Sequence, residues 1–122
     1  GLYDDWGDQQ RTTAQQWMSA LGIGELLISP YDDLSFGLQR MVLLARAMVK
    51  SPAILILDEP CLGLDSYHRR LLLRAVDHIA NNSDTQILFV SHTTGDTPKC
   101  INQLLEFEGA EVGYNLKCTN LE

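Results

Sequence analysis

Asp58 and Glu59 stand side by side at the end of an unbroken apolar run, Ala53–Leu57, and Pro60 follows them. Adjacent carboxylates closing a buried parallel strand lie where α/β proteins place their ligands. Nucleotide hydrolysis needs two acids there with separate duties. Asp58 is suited to hold a magnesium ion through water, because that hard cation prefers oxygen ligands and dehydrates reluctantly. Glu59 is suited to polarise a water attacking in line with a γ-phosphate. Taken alone, the same triplet also ends an ordinary strand, so its neighbours decide.

Three further segments could share that chemistry. Leu34-Ser35-Phe36-Gly37-Leu38-Gln39-Arg40 opens a helix upstream. A serine hydroxyl, a glycine that lets the backbone approach closely and a helix N-terminus together make a phosphate-binding surface; in isolation Ser35 would be an ordinary N-cap. Downstream, Gly63-Leu64-Asp65 reads as a turn plus cap, and His92 follows a second apolar run, Gln86–Val90. A lone histidine in that place is more often a core or surface residue than a functional one.

The elements that must position these residues follow from periodicity. Residues 9–21 read as an amphipathic helix with Ala14, Trp17, Met18 and Leu21 on one face, ended by Gly22 and Gly24. Residues 25–34 form a connection containing Pro30. Ser35 caps a helix running through Lys50, with Met41, Leu44, Ala45 and Met48 inward and Gln39, Arg40, Arg46 and Lys50 outward; Ser51-Pro52 stops it. Ala53–Leu57 predicts a strand buried on both faces, as in a parallel sheet. Asp65 or Ser66 caps a helix over 66–80 with Leu72, Ala75, Val76 and Ile79 inward, and Asn81-Asn82-Ser83-Asp84 is turn chemistry. With the Gln86–Val90 strand this makes a right-handed βαβ crossover. Residues 103–107 and 111–116 are expected to pair as a hairpin around Glu108-Gly109-Ala110.

Composition sets the outer limits. The 122 residues suit one compact domain, and 45% apolar with 20% charged residues places the chain among globular proteins. A net charge of -7 leaves no electrostatic footprint for nucleic acid or anionic lipid. Asp4, Asp5 and Asp8 read as a solvated lead-in to the first helix. Cys61, Cys100 and Cys118 are odd in number and lack CxxC spacing, which points to neither a disulfide framework nor a zinc site and fits a reducing cytosol. No apolar run approaches the ~18 residues of a membrane span, and no signal peptide opens the chain. Gly1 and Leu121-Glu122 read as cloning remnants.

The four segments, in this order and at these spacings, resemble the ABC ATPase family. Leu34–Gln39 is similar to its LSGGQ signature, Ile54–Glu59 to its Walker B, Gly63–Asp65 to its D-loop and His92 to its switch histidine. The resemblance runs from about Arg11 to Glu108. It implies an α/β protein with a partial P-loop NTPase fold: residues 1–50 as the end of the helical subdomain, residues 51–120 as the second half of the ATP-binding core, and 121–122 outside it. It also implies a head-to-tail dimer, from a homodimer or tandem cassettes, with ATP between the subunits. Asp58 would then support Mg2+, Glu59 would be the base for water, and His92 would contact the γ-phosphate and the catalytic carboxylate. Asp65 would cross the dimer interface, while Ser35, Gly37 and Leu38 would face ATP held by the partner cassette. Phe36 stands for one of the signature's glycines and is expected to pack beside the helix. Leu38 stands for its glutamine and removes a side chain that could hydrogen-bond across the interface.

No GxxxxGK[ST] occurs, so no lysine-bearing loop is present to cradle the β- and γ-phosphates. The family's adenine-stacking aromatic residue and its glutamine-bearing loop also lack candidates. The chain therefore reads as a fragment whose parallel core lacks the phosphate-loop strand, which would lie beside Gln86–Val90. Its uncovered edge is expected to favour self-association, and ATP binding by the fragment alone is expected to be negligible. Trp17-Met18, Leu21-Gly22-Ile23, Leu88–His92, Asp96–Ile101 and Leu105-Glu106-Phe107 resemble cassettes of bacterial molybdenum-transport type, in particular the second cassette of a duplicated protein. The resemblance implies a cytoplasmic ATPase peripheral to the inner membrane that powers import through a permease, without nucleic acid. A translation or DNA-repair ABC protein and a non-catalytic regulatory cassette stay open as alternatives.

Overall fold

In the computed structural model, the described residues are 7–93, 95–109 and 111–121. Gly1, Asp4, Asp5, Ala110 and Glu122 lie outside them. Helix α1 (Asp8–Ala20) is followed by two 3-10 turns, Gly24–Ile28 and Tyr31–Asp33, and by helix α2 (Phe36–Met48). Strand β1 (Ile54–Asp58), helix α3 (Ser66–Asn82) and strand β2 (Gln86–Val90) come next, and strands β3 (Gln103–Gly109) and β4 (Tyr114–Asn120) close the chain.

One apolar core joins the three helices to β1. Ala14, Met18 and Leu21 of the first helical region, Met41, Leu44, Ala45 and Met48 of α2, and Leu72, Ala75, Val76 and Ile79 of α3 are all buried, as their spacing predicts. Val42 and Leu55 join them, and Trp17 meets His78 edge-on. The cluster runs without a break from Met18 to Ile79, so helices of residues 1–50 and strands of residues 51 onward share it.

β1 and β2 pair in parallel, Ile54 opposite Gln86 through Asp58 opposite Val90. Both ends of this pair are fastened. At the start, Gln86 N–H donates to Ala53 O at 2.9 Å and the Thr85 hydroxyl to Pro52 O at 2.7 Å; at the end, Glu59 N–H donates to Val90 O at 2.8 Å. Because successive side chains alternate between faces, Leu55, Leu57, Ile87 and Phe89 turn toward the helices while Ile54, Ile56, Leu88 and Val90 turn away.

Several expectations need correction. β1 is not buried on both faces: Ile54 is 55% and Ile56 63% exposed, since among the described residues the sheet has two strands and the helices cover one side. The segment 25–34 is not merely a connection but carries the two 3-10 turns. α2 ends at Met48, where Ser51 adopts φ +49 and donates its N–H to Met48 O, so the reversal comes before Pro52. α3 continues through Asn82 because the Asn82 amide and the Ser83 hydroxyl satisfy the His78 and Ile79 carbonyls at 2.8 and 2.6 Å. The hairpin strands are longer than 103–107 and 111–116, and the reversal falls nearer Gly113, whose φ of +74 a glycine adopts without steric cost. Leu121 N–H donates to Asn102 O at 2.8 Å, which extends the β3–β4 pairing beyond its last residue.

Ile79 is fully buried and Ile56 is not. Ile79→Ala is expected to cost about 2–5 kcal/mol through lost burial and the cavity left behind, whereas Ile56→Ser should stay within about 0.5 kcal/mol in this chain. Urea unfolding of the two variants checks the contrast.

Candidate active site

The C-terminal ends of β1 and β2 bring Asp58, Glu59 and His92 to one end of the sheet. Glu59 takes φ +48, a left-handed conformation that a side chain with a Cβ resists. Its surroundings hold it there: its N–H bonds Val90 O, and its carboxylate Oε1 accepts the His92 N–H at 2.8 Å. The same oxygen meets His92 Nδ1. The histidine side chain is 90% exposed and the glutamate only 23%, so the ring projects outward from an anchored carboxylate. This contact spans 33 positions of sequence and exists only because the two strands pair in register.

Asp58 is exposed, and among the described residues no hydrogen bond or ion pair engages its carboxylate. No group of three or more potential metal ligands occurs among the described residues. A single free carboxylate can serve magnesium, an ion that keeps most of its water and takes further oxygens from phosphate.

The start of α2 lies against the loop that follows β1. Ser35 caps the helix, its hydroxyl accepting the Leu38 N–H at 3.4 Å. Gly37 is buried, and a Cβ there would stand 2.6 Å from the His68 ring. The close approach of His68 is therefore a reason for this glycine that spacing alone does not reveal. His68 is in turn held by Asp65, which accepts the His68 N–H at 2.8 Å and contacts Nδ1 at 2.9 Å. The backbone bond first and the ring second hold the Asp65 carboxyl below its usual range. Asp65 thus caps α3 within its own chain while its carboxylate stays largely exposed.

Leu38 is half-buried and packs against the core, and Gln39 donates its amide to Tyr31 O at 3.0 Å, bracing the second 3-10 turn. Sequence reasoning placed Arg40 on a polar face and gave it no further duty. In the fold its guanidinium donates to Glu59 O at 3.2 Å and to Pro60 O, and lies 4.5 Å above the Phe36 ring. The i, i+4 spacing of Phe36 and Arg40 was the available signal. Cys61, beside this cluster, is a free thiol that burial first and the Asp96 charge second push up; Cys100 is pushed to about 12 by burial and then by its Asp77 hydrogen bond.

Comparison with known proteins places these features in context. The ABC transporter family profile matches residues 3–62. The ABC transporter ATP-binding protein ModF of Escherichia coli is 46% identical over 108 residues, an alignment covering 88% of this chain and 22% of that protein. The molybdenum import ATP-binding protein ModC of Methylococcus capsulatus is 32% identical, covering 84% of this chain and 29% of that one. Among solved structures, the ADP conformation of an ATP-binding cassette of an ABC transporter superposes with a TM-score of 0.72 at 20% identity, covering 85% of this chain and 42% of that one. The fold is accordingly that of an ABC ATPase cassette in part, a helix and strand assembly with a small parallel sheet. The chain spans about a fifth to a third of these two curated relatives.

The packing of His68 onto Gly37 makes a specific demand. Gly37→Ala should destabilise this chain, and the same change in a His68→Ala background should cost less without becoming neutral, because the ring atoms at 2.6 Å are gone while the Cβ of position 68 still stands 2.9 Å away. A double-mutant cycle by denaturant unfolding reads the coupling, expected to reach about 1 kcal/mol or more.

Proposed function

Because this chain belongs to the ABC transporter family of ATP-binding cassettes, we propose that it is the signature-to-switch part of an ATPase that powers molybdenum import. The observation that carries the chemistry is Glu59. Its carboxylate is fixed by the His92 N–H at the mouth of the β1–β2 pair, with Asp58 unengaged beside it.

In the proposed mechanism Glu59 accepts a proton from, or polarises, a water attacking the γ-phosphate. The His92 ring, projecting from that same carboxylate, contacts the γ-phosphate and reports whether it is intact. Asp58 would hold magnesium through water, and the ion would supply neutralisation of phosphate charge there. Ser35 and Gly37, at the N-terminus of α2, face ATP bound by a second cassette, in a homodimer or a tandem arrangement, and Asp65 lies at that interface. Leu38 contributes apolar packing near the same turn.

The lysine-bearing phosphate loop and the cover for Ile54, Ile56, Leu88 and Val90 are assigned to the remainder of a longer parent protein. The much greater length of the relatives supports this. A membrane permease would be the partner through which import runs, with the cassette on the cytoplasmic side. No helix among the described residues is long and apolar enough to cross a membrane. The inward packing of Leu38 favours a second reading, a regulatory cassette that does not hydrolyse ATP.

Glu59→Gln in the intact parent is expected to lower ATP turnover by at least about 100-fold, as loss of a general base does, while ATP binding persists. Unchanged turnover would remove the catalytic assignment. Calorimetry on the 122 residues alone should detect negligible Mg-ATP binding, and micromolar affinity would refute the assignment of the phosphate loop elsewhere. Light scattering is expected to find the isolated chain self-associated through its uncovered sheet edge; a monodisperse monomer contradicts that.

A further inference from the structure

Glu59 sits in a backbone conformation that must be maintained by its neighbours, and one of those neighbours comes from α2. The Arg40 guanidinium donates to the carbonyls of both Glu59 and Pro60. It is itself laid over the Phe36 ring, one helical turn earlier. Phe36 leans toward the loop, since a Cβ on Gly63 would stand 3.3 Å from its ring edge, and Gly63 takes φ +80 there. Gly37, the next residue, touches His68 beyond the same loop. The first turns of α2 therefore grip residues 59–68 at three places, and only the arginine reaches the Glu59 backbone.

We propose that Arg40, stacked on Phe36, is a positioning residue that sets the Glu59 carboxylate against His92 and ties its placement to the Ser35 end of α2. The guanidinium is the right group for this task. Its planar fork can serve two adjacent carbonyls at once while one face rests on an aromatic ring, which an ammonium cannot do in the same way. Phe36, which stands where the signature has a glycine, thereby acquires a use: it supplies the ring that orients the fork. A shift of the Ser35 turn would be transmitted through Arg40 to the Glu59 carbonyl, and from there to the carboxylate that receives the His92 N–H.

The catalytic consequence rests on the proposed role of Glu59 as base; the positioning does not. Two readouts keep them apart. The first is hydrogen exchange of the His92 amide, which reports the bond to Glu59 whether or not ATP is hydrolysed. The second is kcat and KM for ATP in the intact parent protein. Arg40→Met and Phe36→Leu are each expected to speed His92 amide exchange by about tenfold, the equivalent of one hydrogen bond to a charged group. Each should also lower kcat by about tenfold or more with KM changed less than about threefold. Arg40→Lys should fall between Arg40→Met and the parent, and Phe36→Tyr, which keeps the ring face, should lie closer to the parent than Phe36→Leu in both readouts. Phe36→Leu replaces an exposed ring, so it reports on the stack even where Arg40→Met melts early.

Unchanged His92 exchange in both variants overturns the proposal. Faster exchange with unchanged kcat, in a protein whose turnover Glu59→Gln abolishes, overturns the link to catalysis. Faster exchange in a protein that Glu59→Gln leaves fully active supports the positioning and sinks the reading of Glu59 as base.

Discussion

Everything about this site turns on how Glu59 joins two strands. Its N–H closes the β1–β2 ladder on Val90 O, and its carboxylate accepts the N–H of His92, two residues beyond the end of β2. One residue thus serves as the last rung of a sheet and as the orienter of its neighbour strand's exit. Glu59 makes both bonds from a left-handed backbone. Such a conformation costs on the order of 1–3 kcal/mol and survives only where surrounding bonds over-determine it.

The rest of the fold can be read as the support for that residue. Thr85 and Gln86 fix the register at the far end of the strand pair, so that Asp58 and Val90 meet at the near end. The apolar face of α3 covers one side of the sheet, and α2 packs on α3 and reaches the loop after β1 with Arg40. Arg69 pairs with Asp96 at 3.3 Å and Asp77 accepts the Cys100 N–H at 2.8 Å, which ties the segment after His92 to α3. The helices thus brace the loop after β1 and the segment after His92.

The opposite face of the sheet and the β3–β4 hairpin present a contrast. Leu105, Phe107 and Leu116 share one exposed hairpin face, and Ile54, Ile56, Leu88 and Val90 the exposed sheet face. Two-stranded sheets are marginal in water without a covering layer. Burial on one side only is why an apolar strand pattern could not foretell how this strand is covered: the pattern records what the strand can bury, not which neighbours the described chain supplies.

The sequence by itself determined the elements and the residue types at their ends. Helical spacing located the inward faces of all three helices, and the two apolar runs located the strands that carry Asp58, Glu59 and His92 to a common end. Local rules suffice there, since helix faces, caps and strand ends depend on residues a few positions apart. Only the tertiary structure decided that Gly37 makes room for His68, that Leu38 turns to the core, and that Arg40 bonds the backbone of Glu59. Those contacts join positions 19 and 31 residues apart, or depend on how a whole helix is rolled against its neighbours. No spacing rule encodes them, because their distances are set by packing of the complete core rather than by the repeat of any one element.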